Sequence, residues 1–241
     1  MAETSWRWSV YLAGSLTLLA LVMVGALRSA QILKRWVPDR NLLLLPTEIA
    51  TKIVLVVACV ALGWTSGLGV ARLGWHSPRP LADLSLGLAI GVGLAAVLAV
   101  LTPWADRVSE ERLYDDAIVR NITPRRPGEW PGVLLALIPA VLSEELLFRS
   151  LLLGGLSPPI PVWPLALILS LCFGVVHWPQ GLLAVAVTFA VGMAFSGLFV
   201  WRQTLLAPVV AHYVANVLQI AWVYRQRRRG PSRPSMNPAD L

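Results

Sequence analysis

The feature that most constrains this chain is a succession of apolar runs, each near 20 residues long and bounded by polar or basic residues. They lie near residues 8–27, 48–70, 84–103, 130–153, 162–178, 181–201 and 204–224. An α-helix needs about 20 apolar residues to cross a ~30 Å hydrocarbon core, so the expected fold is all-α: a polytopic transmembrane helix bundle of about seven spans. Composition agrees, since 56% of the residues are hydrophobic and only 14% are charged, against about 25% charged in soluble domains.

The run from Trp8 to Leu27 has the position of a signal peptide. It is longer than the 7–15 apolar residues of a signal sequence and no clear A-x-A site follows, so it reads as a retained anchor. Tryptophan marks the span boundaries independently: Trp64, Trp104, Trp130, Trp163, Trp178, Trp201 and Trp222 each sit at or near an end, where an amphipathic ring meets the headgroups.

The formal charge is +7, from 18 arginines and two lysines against 13 acids. These arginines cluster between and beyond the apolar runs, which points to a membrane edge rather than to nucleic acid. Arg28, Lys34, Arg35 and Arg40 follow the first run, and Arg225, Arg227, Arg228, Arg229 and Arg233 follow the last. Six intervening spans put both basic stretches on one side. The positive-inside rule makes that side cytoplasmic and the amino terminus external. Residues 105–129 fall on the same side and carry a short surface-helix pattern around Arg107 to Arg120, while the Pro-, Ser- and Arg-rich tail after Gly230 reads as disordered. Cys59 and Cys172 both lie in apolar runs, with neither a disulfide framework nor a metal spacing, and read as packing residues.

Ionisable groups inside apolar spans are costly, about 2.5–3.5 kcal/mol each on insertion scales, and their default explanation is a functional site. Here they gather in the last four spans: Glu144 and Glu145, His177, and His212 with Asn216. Helical spacing sets Glu145 and Arg149 one turn apart on one face, where they can pair. Glu144 lies about 100° round the helix and stays available as a partly desolvated base. On this motif alone, a structural ion-pair cluster would account for the residues equally well. Phe173 with His177 and His212 with Asn216 are further i, i+4 pairs, and convergence inside the bundle gives all of these polar groups partners.

Glu144-Glu145-x-x-x-Arg149, then Phe173-x-x-x-His177, then His212-x-x-x-Asn216, resemble the three ordered motifs of the CPBP intramembrane proteases, which include the type II CAAX prenyl endopeptidases and the lysostaphin-resistance-protein-A-like bacterial proteins. The likeness covers about 128–224; Ser150 stands where glycine is expected. The resemblance implies an endopeptidase with Glu144 as general base on a water, His177 assisting, His212 and Asn216 stabilising the oxyanion, and Glu145 and Arg149 holding the base. Carboxylate, imidazole and amide can fill those roles. The same groups have an alternative use, with Glu144, His177 and His212 as three zinc ligands. No H-E-x-x-H helix is present and Glu144 as a ligand would remove the base, so the reading favours no cofactor.

The chain thus divides into N-terminal membrane helices and a cytoplasmic segment (1–127), a catalytic bundle (128–224) and a basic tail (225–241). Expected partners are the bilayer and a membrane-associated peptide or protein, with no nucleic acid, and the Arg-over-Lys bias hints at a bacterial plasma membrane. Two other classes use similar residues: a non-catalytic binding or immunity protein of the same fold, and a transporter, against which stands the lack of an inverted repeat. Counted from the outer loops, Glu144 and His212 fall at ~16 and ~14 Å but His177 at ~24 Å, so span five must tilt or begin below the surface for the three to meet. Pro139 and Pro208 precede Glu144 and His212 and can kink their helices. Gly87-x-x-x-Gly91 and Gly192-x-x-x-Ser196 read as close-packing sites, and His76 as solvated.

Overall fold

A computed structural model describes residues 2–33, 35, 40–108, 117–157 and 159–229, without the side chains of 2–5, 30, 33, 102–108, 117 and 229. Lys34, most of the surface-helix pattern at 107–120 and the tail from 230 lie outside the described residues. Those described are helical, with no strand. The helices are α1 (Ala2–Leu33), α2 (Pro46–Ser66), α3 (Pro80–Val108), α4 (Ala117–Ile122), α5 (Trp130–Glu145), α6 (Val162–Val176), α7 (Leu182–Arg202) and α8 (Leu206–Arg229). A π-helical stretch, Leu146–Gly154, continues α5 without a break.

Six helices, including α5 with its extension, are long and apolar enough to cross a membrane. The seventh expected span, α6, has only 15 residues. It ends at Val176 because His177 leaves the helical conformation and Pro179 follows in the turn Trp178–Gln180, where a proline cannot continue the backbone ladder. Of the seven boundary tryptophans, Trp64, Trp163, Trp178 and Trp201 are exposed near helix ends, while Trp130 and Trp222 are half-buried and Trp222 lies within α8. Cys59 is buried, Cys172 half-buried, and both are free thiols.

Small residues set the tightest helix contacts. A Cβ at Gly87 or Gly91 would stand 2.6 or 2.7 Å from the carbonyl oxygens of Ala207 and Ala211, so α3 lies backbone to backbone on α8. Gly192 similarly faces Ser170 and draws α7 against α6. These are the close-packing roles expected of the two small-residue motifs. Pro208, by contrast, is the third residue of α8, where a backbone N–H has no intrahelical partner in any case. Pro208 therefore costs α8 no intrahelical hydrogen bond.

The π stretch is where α1 and the α2–α3 loop grip the bundle. Tyr11 on α1 donates to the Leu151 carbonyl at 2.5 Å. Arg72 donates to the carbonyls of Gly154 (3.3 Å) and Gly155 (2.7 Å). Ser150 donates its hydroxyl to the Leu73 carbonyl at 2.8 Å and accepts from Trp75 Nε1 at 2.9 Å. Serine thus replaces the expected glycine for a physical reason, since its hydroxyl pins the inserted loop. Gly155 is forced, because a Cβ there would overlap the Tyr11 hydroxyl. At the same end, Asp83 in the first turn of α3 is fully buried and accepts from Arg202 on α7 at 2.6 Å and from Ser77 at 2.6 Å.

Candidate active site

The two adjacent glutamates end α5 in different surroundings. Glu145 is fully buried, whereas a quarter of the Glu144 side chain is exposed. Glu145 Oε1 accepts from Arg149 Nη1 at 3.2 Å and lies 2.8 Å from His212 Nδ1 on α8. Arg149 Nη2 donates to the Gly192 carbonyl at 3.1 Å. Its guanidinium sits 4.7 Å from the Phe173 ring centroid and 5.5 Å from that of Phe195. A buried charge pair persists when its geometry is good and its remaining valences are met; here the backbone of α7 and two aromatic faces serve Arg149, while Arg149 Nε and Glu145 Oε2 are buried without a hydrogen-bond partner among the described residues.

The expected Glu145–Arg149 pair is thus present, but what it holds is different. Glu145 grips His212 and Arg149, not Glu144. A carboxylate only accepts, so the proton of His212 Nδ1 points at Glu145 and ring orientation is fixed. Nε2 then faces Glu144 Oε2 at 3.8 Å. Across the site, His177 Nδ1 lies 2.8 Å from the Phe173 carbonyl. A carbonyl also only accepts, which leaves Nε2 of the neutral His177 ring as an acceptor.

Phe173 ties these parts together. Its ring centroid is 5.0 Å from that of His177, 6.1 Å from that of His212 and 5.2 Å from that of Phe148. Glu144 is within electrostatic reach of both histidines. The depth mismatch read by counting does not keep the three groups apart. Asn216, half-buried, lies one turn beyond His212 on the same face of α8.

One neighbour was not foreseen. Lys52 Nζ, on α2, lies 3.7 Å from Glu144 Oε1 and 3.8 Å from Glu48 Oε1. The sequence does carry a signal for it, because a lysine inside an apolar run is as costly as the histidines. Among the described residues, no three His, Cys, Asp or Glu side chains are gathered so as to hold a metal ion. His212 Nδ1 is committed to Glu145 and His177 Nδ1 to a backbone carbonyl, so each ring has only Nε2 left to offer.

Residues 126–218 match the family model of type II CAAX prenyl endopeptidases, Rce1-like. This segment is similar to that family. It is consistent with the CPBP proteases that the motifs resemble, and every motif residue, Glu144 through Asn216, falls within it. No curated protein and no solved structure matches the chain. The Rce1-like domain gives the bundle the fold of a CAAX-type intramembrane protease, a class of peptide-bond hydrolases, set in an integral membrane protein. Lys52 lies outside it, as do Tyr11, Arg72 and Trp75.

Proposed function

We propose that this protein is an intramembrane endopeptidase in which Glu144 takes a proton from water as that water attacks a peptide carbonyl, and returns it to the leaving amine as the C–N bond of the tetrahedral intermediate breaks. The observation that carries this reading is the contrast between the paired glutamates: Glu145 is buried and tied to Arg149 and His212, while Glu144 faces two imidazoles with a quarter of its side chain exposed. A general base must reach a water and be free to take its proton, and only Glu144 meets both conditions.

His177 Nε2, a lone-pair acceptor once Nδ1 bonds the Phe173 carbonyl, orients the same water. His212 and Asn216 face the developing oxyanion. Glu145 orients the His212 ring through Nδ1, and Asn216 adds a neutral amide donor. Glu145 and Arg149 act through His212. The reaction needs no cofactor in this scheme, because base, water orienter and oxyanion donors all come from the chain. Substrates are membrane-associated peptides or proteins, and the membrane is a bacterial plasma membrane with the amino terminus outside and the carboxyl terminus cytoplasmic.

The test compares peptide fragments released from membranes carrying the wild type or Glu144→Gln. Fragments that depend on the wild type and vanish in the variant are expected. Equal cleavage by the folded variant would sink the assignment.

A further inference from the structure

We propose that Lys52 is a positioning residue for Glu144, so that a helix outside the Rce1-like domain completes its active site. The inference rests on the protease reading above, to which it adds a residue.

An ammonium inside an apolar span is unfavourable unless it is paired. Lys52 has two carboxylates in reach, Glu48 one turn back on α2 at 3.8 Å and Glu144 across the helix interface at 3.7 Å. Glu48 is largely exposed, with 42% of its side chain accessible, against 25% for Glu144 and 23% for Lys52. Glu144 is the less exposed of the two carboxylates, and Lys52 is the cation nearest to it that is not already bonded to another carboxylate of the site.

The two oxygens of Glu144 are used differently. Oε1 faces the Lys52 ammonium and Oε2 faces His212 Nε2. A glutamate has three rotatable bonds, and two contacts on opposite oxygens fix the plane of its carboxylate as well as its position. Both distances exceed a direct hydrogen bond, so the lysine steers the carboxylate by charge without capping the oxygen that takes the proton. The α2–α5 packing that brings Lys52 there has a separate anchor in the α2–α3 loop, where Ser150 and Arg72 hold the loop to the π stretch. Lys52 is therefore not needed to dock α2.

Lys52→Met and Lys52→Arg, purified as full chains and reconstituted beside the wild type, test this. Expected for Met is a loss of turnover of about 10- to 100-fold, the scale of a displaced catalytic group, with KM changed by less than about threefold. Arg, which keeps the charge, restores most of the turnover. A structural role alone would not produce that rescue together with a kcat-only loss. Wild-type turnover in Lys52→Met, with cleavage by the wild type intact, overturns the inference and spares the protease reading.

A second measurement needs no substrate. Thermal midpoints of Lys52→Met, Glu144→Gln and the double variant form a cycle, and a double shift smaller than the sum of the singles is expected for groups that interact. Additive shifts overturn the inference whether or not the wild type cleaves anything. Coupled midpoints in a wild type that cleaves nothing would sink the protease reading and still support Lys52 as the partner that fixes Glu144.

Discussion

The Rce1-like segment and the first three helices differ in how they are written and in what they contribute. Residues 126–218 hold Glu144, Glu145, Arg149, Phe173, His177, His212 and Asn216 in regular i, i+4 patterns. Apart from Glu48–Lys52, helices α1 to α3 carry no such pattern, yet Tyr11 and the loop residues Arg72 and Trp75 hold the π stretch that follows the glutamates, and Lys52 reaches Glu144 itself. Chemistry that must be presented on one helical face leaves a periodic trace. Support that comes as one side chain from each of several helices does not, because each residue meets a carbonyl or carboxylate far away in sequence.

That contrast can be broken most decisively at the base. Glu144→Gln and His177→Ala are each expected to abolish cleavage, and the double variant to add little, since groups acting as a unit are non-additive. Initial rates on reconstituted protein decide this, and a double variant much worse than either single would separate the two roles. Asn216→Ala is expected to cost about 100- to 1,000-fold in turnover, as for other oxyanion donors, with folding unchanged by thermal melting. A loss of under tenfold would remove Asn216 from the site.

Arg149→Ala shifts the measurement from rate to stability. Glu145 would be left charged, buried and facing His212 alone, and breaking a buried pair of this kind costs about 3–5 kcal/mol. Denaturation in detergent should show the loss, with Arg149→Lys falling between Ala and wild type. Equal stability of Ala and wild type would mean that aromatic packing, not charge, holds this position.

Gly155→Ala tests the other region. Its methyl group would drive the Tyr11 hydroxyl away from Leu151, at about 1–3 kcal/mol for overpacking, and a lowered thermal midpoint with preserved turnover per folded molecule is expected. A midpoint equal to wild type would show that α1 is not docked on the π stretch through this contact. The smallest expected effect is that of chelation. Turnover should survive a zinc chelator, and one zinc per chain with activity lost on chelation and restored by metal would replace the water-activating scheme with a metal-bound one.

Much of this molecule is legible in its sequence for identifiable reasons. Six apolar runs, with tryptophans at their ends, correspond to membrane-length helices because length and hydropathy act locally. The Glu145–Arg149 pair is visible because four residues make one turn. The partner of Glu145 across the bundle, His212, is not visible, since 67 residues separate them and only packing decides which glutamate it meets. The early end of α6 is legible only in retrospect, in Pro179. Lys52 carried the same energetic signal as His177 but sits four residues after Glu48, so on the helix alone it reads as an ordinary i, i+4 pair. Nothing in Leu146–Gly154 marks the wide turn of the π stretch beforehand.

The brevity of α6 has a consequence for the lipid around it. Fifteen residues make a rod of about 22 Å, some 8 Å short of a typical hydrocarbon core. A bilayer answers such a mismatch by thinning, or by letting headgroups and their water dip toward the short element. A dip at the end of α6 that carries His177 would bring water and a hydrated peptide backbone to the site together, as the proposed hydrolysis requires.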